Sequence, residues 1–210
     1  MGHPVFARVY SNLVVKGFDR GGGAALRDRL LAGLSGTVVE VGAGDGANFA
    51  HYPEEVTHVI AVEPDPYLRG RALTAAGRAG GRFEVLNGDA AALPVADDSA
   101  DAVVFCLVLC SVADPAAALA EARRVLRPGG RLLLLEHVQA HRPGLTRRVQ
   151  AGLDATVWPR LFGGCHVGRD TVAAAEAAGF VFEELDRFAF PEGSHAPMSP
   201  AVLGTARPTG

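Results

Sequence analysis

The sequence has 210 residues, of which 49% are hydrophobic and 20% are charged, and these proportions are typical of a globular protein with one sizeable core. The formal net charge is −3 and the arginines are scattered, which argues against the basic surface of a nucleic-acid-binding domain. The three cysteines include no CxxC pair, and no segment resembles a signal peptide or a membrane span, so we expect a cytoplasmic protein without a disulfide framework, a metal site or a membrane span.

Apolar runs of strand length alternate with helical patterns along most of the chain. Residues 3–34 predict two short helices, which are broken at the three glycines of residues 21–23. Five strands are predicted at residues 37–41, 58–63, 82–86, 101–108 and 131–138, and helices at about 48–51, 66–79 and 114–126. These strands are apolar throughout rather than alternating, which is typical of a parallel sheet with helices on both faces.

The predicted helix at 114–126 has clear boundaries. Asp114 is a good N-cap and Pro115 fits the first helical position. The helix should end before Pro128-Gly129-Gly130, which we interpret as a turn into the fifth strand.

The tail of the chain has a different pattern. A helix is predicted at about 170–178, followed by strands at 180–190 and 201–206 that a Pro-rich loop joins. Two strands joined in this way favour an antiparallel pair that extends the parallel sheet.

A glycine-rich segment follows the first predicted strand and opens a helix. Gly42 and Gly44, with Ala47, satisfy the GxGxx(G/A) pattern in which glycines let the backbone approach a ligand closely. The pattern alone does not separate NAD from other nucleoside cofactors, and a tight turn without a ligand also fits it.

Acidic residues around this segment bear on the identity of the ligand. Glu63, after the second strand, can accept hydrogen bonds from ribose hydroxyls, and Asp89, after the third, can accept one from an adenine amino group. Glu40 and Asp45 flank the glycines and favour a cationic sulfonium ligand over a pyrophosphate. The alternatives are a solvated loop acid at Glu63 and a turn cap at Asp89.

Four motifs in this order resemble those of the class I S-adenosylmethionine-dependent methyltransferases. They are VVEVGAGDG, AVEPD, NGDAAALP and VLRPGGRLLLLEHV, between Thr37 and Val138. The resemblance implies a doubly wound, Rossmann-like α/β sheet of seven strands, mostly parallel, with an antiparallel last strand. GANFAHYP, LVLCSV, EHV and residues 158–166 are similar to the branch that includes alkyl thiol S-methyltransferases, a likeness that runs from about residue 36 to residue 207.

The resemblance also implies a set of cofactor contacts and a division of the chain. The residues expected to bind S-adenosylmethionine are Tyr10, Glu40, Gly42, Ala43, Gly44, Asn48, Glu63, Pro64, Asp89, Ala90 and Leu107. We expect one methyltransferase domain over residues 1–210, with a helical cap at 1–35, a cofactor-binding core at 36–138, and an acceptor-covering insertion and terminal strands at 139–210.

The acceptor side of the predicted site is less sharply defined. His137, at the end of the fifth strand, is the candidate general base, although a histidine that hydrogen-bonds a loop carbonyl would look the same. The candidate acceptor-binding residues are Cys110, Trp158, Cys165 and His166. A nucleophile–base pair or a metal site at Cys165-His166 is disfavoured, because adjacent side chains rarely point at each other and the metal-ligand spacing is absent.

The sequence therefore predicts a methyltransferase that acts on a small, rather apolar acceptor by in-line displacement. A thiol is slightly favoured over an amine or a hydroxyl. An NAD-linked oxidoreductase on a similar fold and a non-catalytic cofactor-binding module remain as alternatives.

Overall fold

A computed structural model of the chain describes residues 15–209, and within them seven strands form one mixed β-sheet. The strands are β1 (Gly36–Val41), β2 (Val56–Val62), β3 (Phe83–Leu86), β4 (Ala100–Cys106), β5 (Leu126–His137), β6 (Phe180–Ala189) and β7 (Pro200–Pro208). Their order is β3-β2-β1-β4-β5-β7-β6. Strands β1 to β5 are parallel, and β7 is antiparallel to its neighbours β5 and β6. The predicted doubly wound sheet with an antiparallel last strand is thus confirmed.

The α-helices of the described residues are mostly short, and two of them precede the first strand. They are α1 (Val15–Phe18), α2 (Ala24–Leu31), α3 (Pro66–Ala79), α4 (Pro115–Val125), α5 (Leu145–Asp154), α6 (Trp158–Leu161) and α7 (Thr171–Ala177). A π-helical turn at Asp19–Gly23 separates α1 from α2, and Gly22 leaves helical geometry there with φ of 104°. The predicted helix break at residues 21–23 is therefore present. The helix predicted at 48–51 is only a 3₁₀ turn, Phe49–His51.

Apolar side chains on the two faces of the sheet form two packed layers. Because side chains alternate along a strand, Val39 and Val41 of β1 pack with α4 and α7, whereas Val38 packs with α2 and α3. Phe105 of β4 and Leu134 of β5, both fully buried, belong to the first layer. The carboxyl ends of β1, β2, β4 and β5 consequently meet at one edge of the molecule, between the two layers.

Aspartate side chains cap two of the longer helices, and the cap at Asp114 is the predicted one. Asp65 precedes α3, and its Oδ1 accepts the backbone N–H of Tyr67 and of Leu68 at 2.9 and 3.0 Å. Asp114 precedes α4 and accepts the N–H of Ala117 at 3.0 Å. Each cap satisfies N–H groups that a helix leaves without an internal partner.

Strand β5 begins earlier than predicted. The chain passes from α4 directly into β5 at Leu126, and Pro128-Gly129-Gly130 lies within the strand. The pairing explains how this is possible: Ala100 pairs with Leu126 but Ala102 pairs with Arg131, so the three residues form a bulge. Gly129, with φ of 84°, lies in the left-handed region within it.

The segment between β5 and α7 contains α5 and α6, which the sequence pattern did not predict. Gln150 of α5 is 1% exposed. Its amide accepts the N–H of Ala140 at 2.9 Å and donates to the carbonyls of Val138, Val167 and Pro197. This one polar side chain therefore fixes α5 against three loops.

The helices of the described residues are too short and too polar to cross a membrane, by the usual criteria of length and hydropathy.

A candidate active site at the carboxyl edge of the sheet

The glycine-rich segment leaves β1 and turns directly over the end of β2. The N–H groups of Gly42 and Ala43 donate to the carbonyl of Val62 at 2.8 and 3.1 Å. Gly42 has φ of 67°, and a Cβ there would lie 2.7 Å from the side chain of Val108. The position thus requires glycine for its backbone conformation and for its close approach to the turn after β4.

Glu63 holds this loop from the end of β2. Its carboxylate accepts the N–H of Gly44 on Oε2 and the N–H of Asp65 on Oε1, each at 2.8 Å. Burial raises the pKa of Glu63, and the two backbone donors oppose that effect. A carboxylate with two fixed donors has lone pairs left for two further hydrogen bonds.

Glu40 is buried in β1 within a polar network. Its oxygens accept hydrogen bonds from Asn48 Nδ2 at 2.8 Å and from the Tyr52 hydroxyl at 3.0 Å. Arg27 of α2 donates to Asn48 Oδ1, so both ends of the Asn48 amide are used inside the protein. Burial raises the pKa of Glu40 to about 7, although Tyr52, Asn48 and the charge of Arg27 oppose the shift.

The loop after β3 places Asp89 and Ala90 beside the end of β2. Asp89 is exposed, and its Oδ1 accepts the N–H of Ala91 at 2.8 Å. Arg69 of α3 joins the two strand ends, because it donates to the carbonyls of Glu63 and Pro64 at 3.0 and 2.9 Å and to Asn87 Oδ1 at 3.0 Å.

Glu136 of β5 is a buried acid that the sequence reasoning did not identify. Its Oε1 accepts the N–H of Val108 and of Leu109 at 2.7 and 2.9 Å, and its Oε2 accepts that of Cys110 at 3.3 Å. Burial nevertheless raises the pKa of this carboxyl to about 7. The turn after β4 begins at Leu107, which has φ of 60°. Strand β4 therefore ends at Cys106, two residues before the predicted boundary.

His137 lies next to Glu136, and its side chain points to the opposite face of the sheet because side chains alternate along a strand. Burial lowers the pKa of His137 below its usual value, and a hydrogen bond with the backbone of Met198 opposes the shift. Its Nδ1 is buried and has no partner among residues 15–209, which leaves the Met198 contact to Nε2. The alternative of a histidine that bonds a loop backbone is thus present on one nitrogen, while the buried Nδ1 has no hydrogen-bond partner among residues 15–209.

The loop after α6 packs against the turn after β4. The N–H of His166 donates to the carbonyl of Cys110 at 2.8 Å. The thiols of Cys110 and Cys165 interact, which raises the pKa of buried Cys110 and, with help from Trp158, lowers that of Cys165. Trp158 stacks on Phe162 with ring centroids 4.0 Å apart.

His166 is not paired with its neighbour Cys165. Its Nδ1 lies 4.0 Å from Asp154 Oδ2, so the ring is directed toward α5. Tyr10 lies outside the described residues. Within residues 15–209, no three His, Cys, Asp or Glu side chains are close enough together to hold a metal ion.

The arrangement suits a nucleoside ligand that carries positive charge. Buried Glu40 and Glu63 flank a loop whose glycines leave room for close backbone approach, and Asp89 lies at the next strand end. Such acids attract a sulfonium and an amino group and would repel a pyrophosphate.

Comparison with known proteins places the chain among methyltransferases. A model of the methyltransferase domain family matches residues 39–134. Thiol S-methyltransferase TMT1B of Mus musculus is 39% identical over 183 residues, which cover 84% of this chain and 73% of that protein. The Ubiquinone/menaquinone biosynthesis C-methyltransferase UbiE of Paracoccus denitrificans is 35% identical over 153 residues, 68% of this chain and 61% of that one. A SAM-dependent methyltransferase from Thermotoga maritima superposes with a TM-score of 0.68 at 22% identity and covers 98% of this chain and 99% of its own, a likeness of fold.

Proposed function

Because the chain belongs to the class I S-adenosylmethionine-dependent methyltransferases, and so transfers a methyl group from that cofactor, we propose that its acceptor is a small, rather apolar thiol. The extent of the likeness to Thiol S-methyltransferase TMT1B carries this proposal. It spans 84% of this chain, more than the segment 39–134 that the general methyltransferase domain occupies. The shared part therefore reaches beyond the cofactor-binding strands, into regions that can contact an acceptor.

The side chains that we assign to the acceptor pocket support a thiol of this kind. Cys165 interacts with Cys110 and with Trp158 where the loop after α6 meets the turn after β4. Leu109 is fully buried beside them. Thiols and aromatic rings are weakly polar, so this wall favours an apolar acceptor over a strongly hydrated one.

The same proposal assigns the cofactor contacts. The cofactor supplies a methyl group that is bonded to a positively charged sulfur. The nucleophile attacks this methyl carbon in line with the carbon–sulfur bond, and the sulfur leaves. Glu63 and Pro64 border the ribose, and Asp89 and Ala90 bind the adenine. The methionine part is lined by Gly42, Ala43, Gly44, Glu40 and Leu107. The proposal also assigns Tyr10, which lies outside the described residues, to cofactor binding. Asn48 acts through Glu40, because both ends of its amide already bind protein groups.

We assign His137 as the general base that removes the proton of the acceptor. A thiol reacts as the thiolate, so its proton must leave before or during transfer. Burial lowers the pKa of His137, and the ring is therefore neutral at pH 7 and able to accept a proton on Nδ1, a buried atom that has no partner among residues 15–209. His166 lies beside Asp154, and we assign it to the rim of the pocket.

The test is an acceptor panel assayed with labelled S-adenosylmethionine. The panel pairs each alkyl thiol with the alcohol and the amine of the same carbon skeleton and includes a demethylated quinol. We expect the thiols to be methylated with kcat/KM at least about tenfold above their matched partners. Glu63→Ala serves as the cofactor-site control and should abolish transfer to every acceptor.

A different pattern of acceptors would overturn the proposal. If a ring carbon of the quinol were methylated and no thiol were, the protein would be a C-methyltransferase, as UbiE is named, rather than a thiol methyltransferase. Equal rates for a thiol and its matched alcohol would remove the preference for sulfur.

A further inference from the structure

Exposed large apolar side chains are concentrated in one segment of the molecule. Leu145 is 77% exposed, Leu161 65% and Val157 52%, and Val149 and Phe162 are also exposed. We call these five residues the outer face of α5 and α6. Elsewhere in residues 15–209, the exposed large apolar side chains are Leu73 on α3 and Val181 on β6.

The orientation of α5 is the reverse of that of an ordinary surface helix, which buries its apolar side. Two of its polar residues, Gln150 and Asp154, face inward, and Gln150 makes the four hydrogen bonds described above. Asp154 accepts the N–H groups of Val167 and Gly168 at 2.8 and 2.9 Å. These bonds fix the helix so that Leu145 and Val149, one turn apart, point away from the protein. The polar contacts beneath α5 thus hold its apolar side toward the outside of the protein.

The charged residues of the segment that carries the outer face are mostly arginines. Arg142, Arg148 and Arg160 are exposed within the segment. Arg147 donates to the carbonyls of Ala140 and His141, and the one acid of the segment, Asp154, accepts the N–H groups of Val167 and Gly168. The chain as a whole has a net charge of −3, so this cationic region contrasts with the rest of the surface. The segment therefore combines apolar side chains with positive charge, and the partner that complements it is apolar and anionic.

We propose that the outer face is the surface by which the protein lies on an anionic lipid bilayer. The apolar side chains enter the acyl region, and the arginines contact the lipid phosphates. A second copy of the chain is a poorer partner, because pairing two identical faces would bring the arginines of both together. The proposal concerns a peripheral contact of two short helices and does not depend on the identity of the acceptor.

The position of the outer face gives the contact a use. Trp158 and Phe162 are stacked, and Trp158 also contacts Cys165 on the inner side of α6. A bilayer against the outer face would therefore adjoin the region that we assign to the acceptor, where apolar compounds dissolved in the lipid could enter.

The chain contains one tryptophan, Trp158, which reports on the contact directly. The experiment adds vesicles of phosphatidylcholine alone, or mixed with phosphatidylglycerol, to the full chain and measures Trp158 emission. Lipids brominated on the acyl chains serve as quenchers. We expect quenching and co-flotation with the anionic vesicles, both weakened by high salt, and weak binding to phosphatidylcholine alone.

Matched variants distinguish binding through the outer face from nonspecific adsorption to the vesicles. Leu145→Ser with Leu161→Ser should weaken binding at least about tenfold, because two exposed leucines no longer enter the lipid. Arg148→Glu should weaken binding to the anionic vesicles. The control, Leu73→Ser with Val181→Ser, removes comparable exposed side chains elsewhere and should leave binding unchanged.

Three results would overturn the proposal. One is the absence of flotation and quenching with the anionic vesicles, and another is equal loss of binding in the control variant. The third is a dimer in lipid-free solution that Leu145→Ser with Leu161→Ser dissociates, which would assign the outer face to a second copy of the chain.

Discussion

Three glutamates are buried at the carboxyl edge of the sheet, and the sequence identified two of them. Glu40 and Glu63 adjoin recognisable motifs. Glu136 was missed because its partners, the N–H groups of residues 108–110, belong to a turn that becomes its neighbour only when β4 and β5 pair. The available signal was an acid at the end of the apolar run LLLLEH, since a charge there needs buried partners.

The ionisation of Glu40 should make cofactor binding depend on pH. Its pKa is about 7, so the carboxyl gains its negative charge between pH 6 and 8. We expect the affinity for S-adenosylmethionine, measured by calorimetry, to rise by up to about tenfold over that interval. S-adenosylhomocysteine, which lacks the sulfonium charge, should show a smaller rise.

Glu40→Gln tests this assignment, because it keeps the size of the side chain and removes its titration. The variant should bind S-adenosylmethionine more weakly at pH 8 and lose most of the pH dependence. An unchanged pH profile in the variant would assign the dependence to another group.

His137 should matter for proton removal from the acceptor rather than for binding of the cofactor. We expect His137→Gln to lower kcat/KM for a thiol by about 10²-fold at pH 7. The affinity for S-adenosylmethionine should be unchanged. The Gln amide can keep the contact that Nε2 makes with Met198, so the variant should remain folded.

The pH profile separates catalysis from packing at His137. Activity of the wild type should rise with pH through a value below 6.5, where the ring loses its proton. The loss in His137→Gln should shrink when the acceptor is already ionised at high pH. A loss of the same size at every pH would indicate a packing role.

At the scale of elements, prediction succeeded where local chemistry sets a boundary. Helix α4 begins after the Asp114 cap and at Pro115, as predicted, because cap and proline act on adjacent backbone groups. The sequence pattern predicts a turn at residues 128–130, yet these residues lie in a bulge of β5, since pairing with β4 keeps them in the strand. Helix α5 was not predicted because Leu145 and Val149 face outward while Gln150 and Asp154 make its inner contacts, and α6 has only four residues, too few for a helical pattern.

Gln150 should be essential to the insertion that contains α5 and α6. Gln150→Ala leaves the N–H of Ala140 and three carbonyls without their buried partner, so we expect a loss of about 2 to 4 kcal/mol in the free energy of unfolding. Urea denaturation measures this loss. Gln139→Ala, at a half-buried position in the same loop, is the matched control and should cost less than about 1 kcal/mol. Equal costs in the two variants would contradict the role assigned to Gln150.

At the scale of the whole molecule, the seven-stranded, mostly parallel sheet with an antiparallel last strand was implied by the resemblance of the motifs rather than by spacing. Alternating apolar runs and helices indicate a parallel sheet, but they fit an NAD-binding fold equally well. The likeness to the methyltransferases decided between the two cofactors, because the geometry of the glycine loop is shared by both. The acceptor could not be predicted in the same way, since its pocket joins residues from distant parts of the chain.

The buried carboxyl of Glu136 should also affect how stability varies with pH. Its pKa is raised from 4.5 to about 7 in the folded state, so its contribution is full below pH 4.5 and is lost as the pH rises through 7. Relative to Glu136→Gln, the wild type should lose about 3 kcal/mol in the free energy of unfolding between pH 4.5 and 8. Urea denaturation at both pH values measures it, and parallel pH profiles of the two proteins would refute the assignment.

The position of β7 has a consequence for the order of events during synthesis. Strand β7 is the last of the strands to be made, yet it lies between β5 and β6 and pairs with both. Until it emerges, β5 has an open edge and β6 has no place in the sheet, so the nascent chain exposes strand edges that invite pairing with other chains. The first five strands can assemble as they are made, but completion of the sheet waits for residues 200–208. Chaperone dependence should therefore fall on this final step.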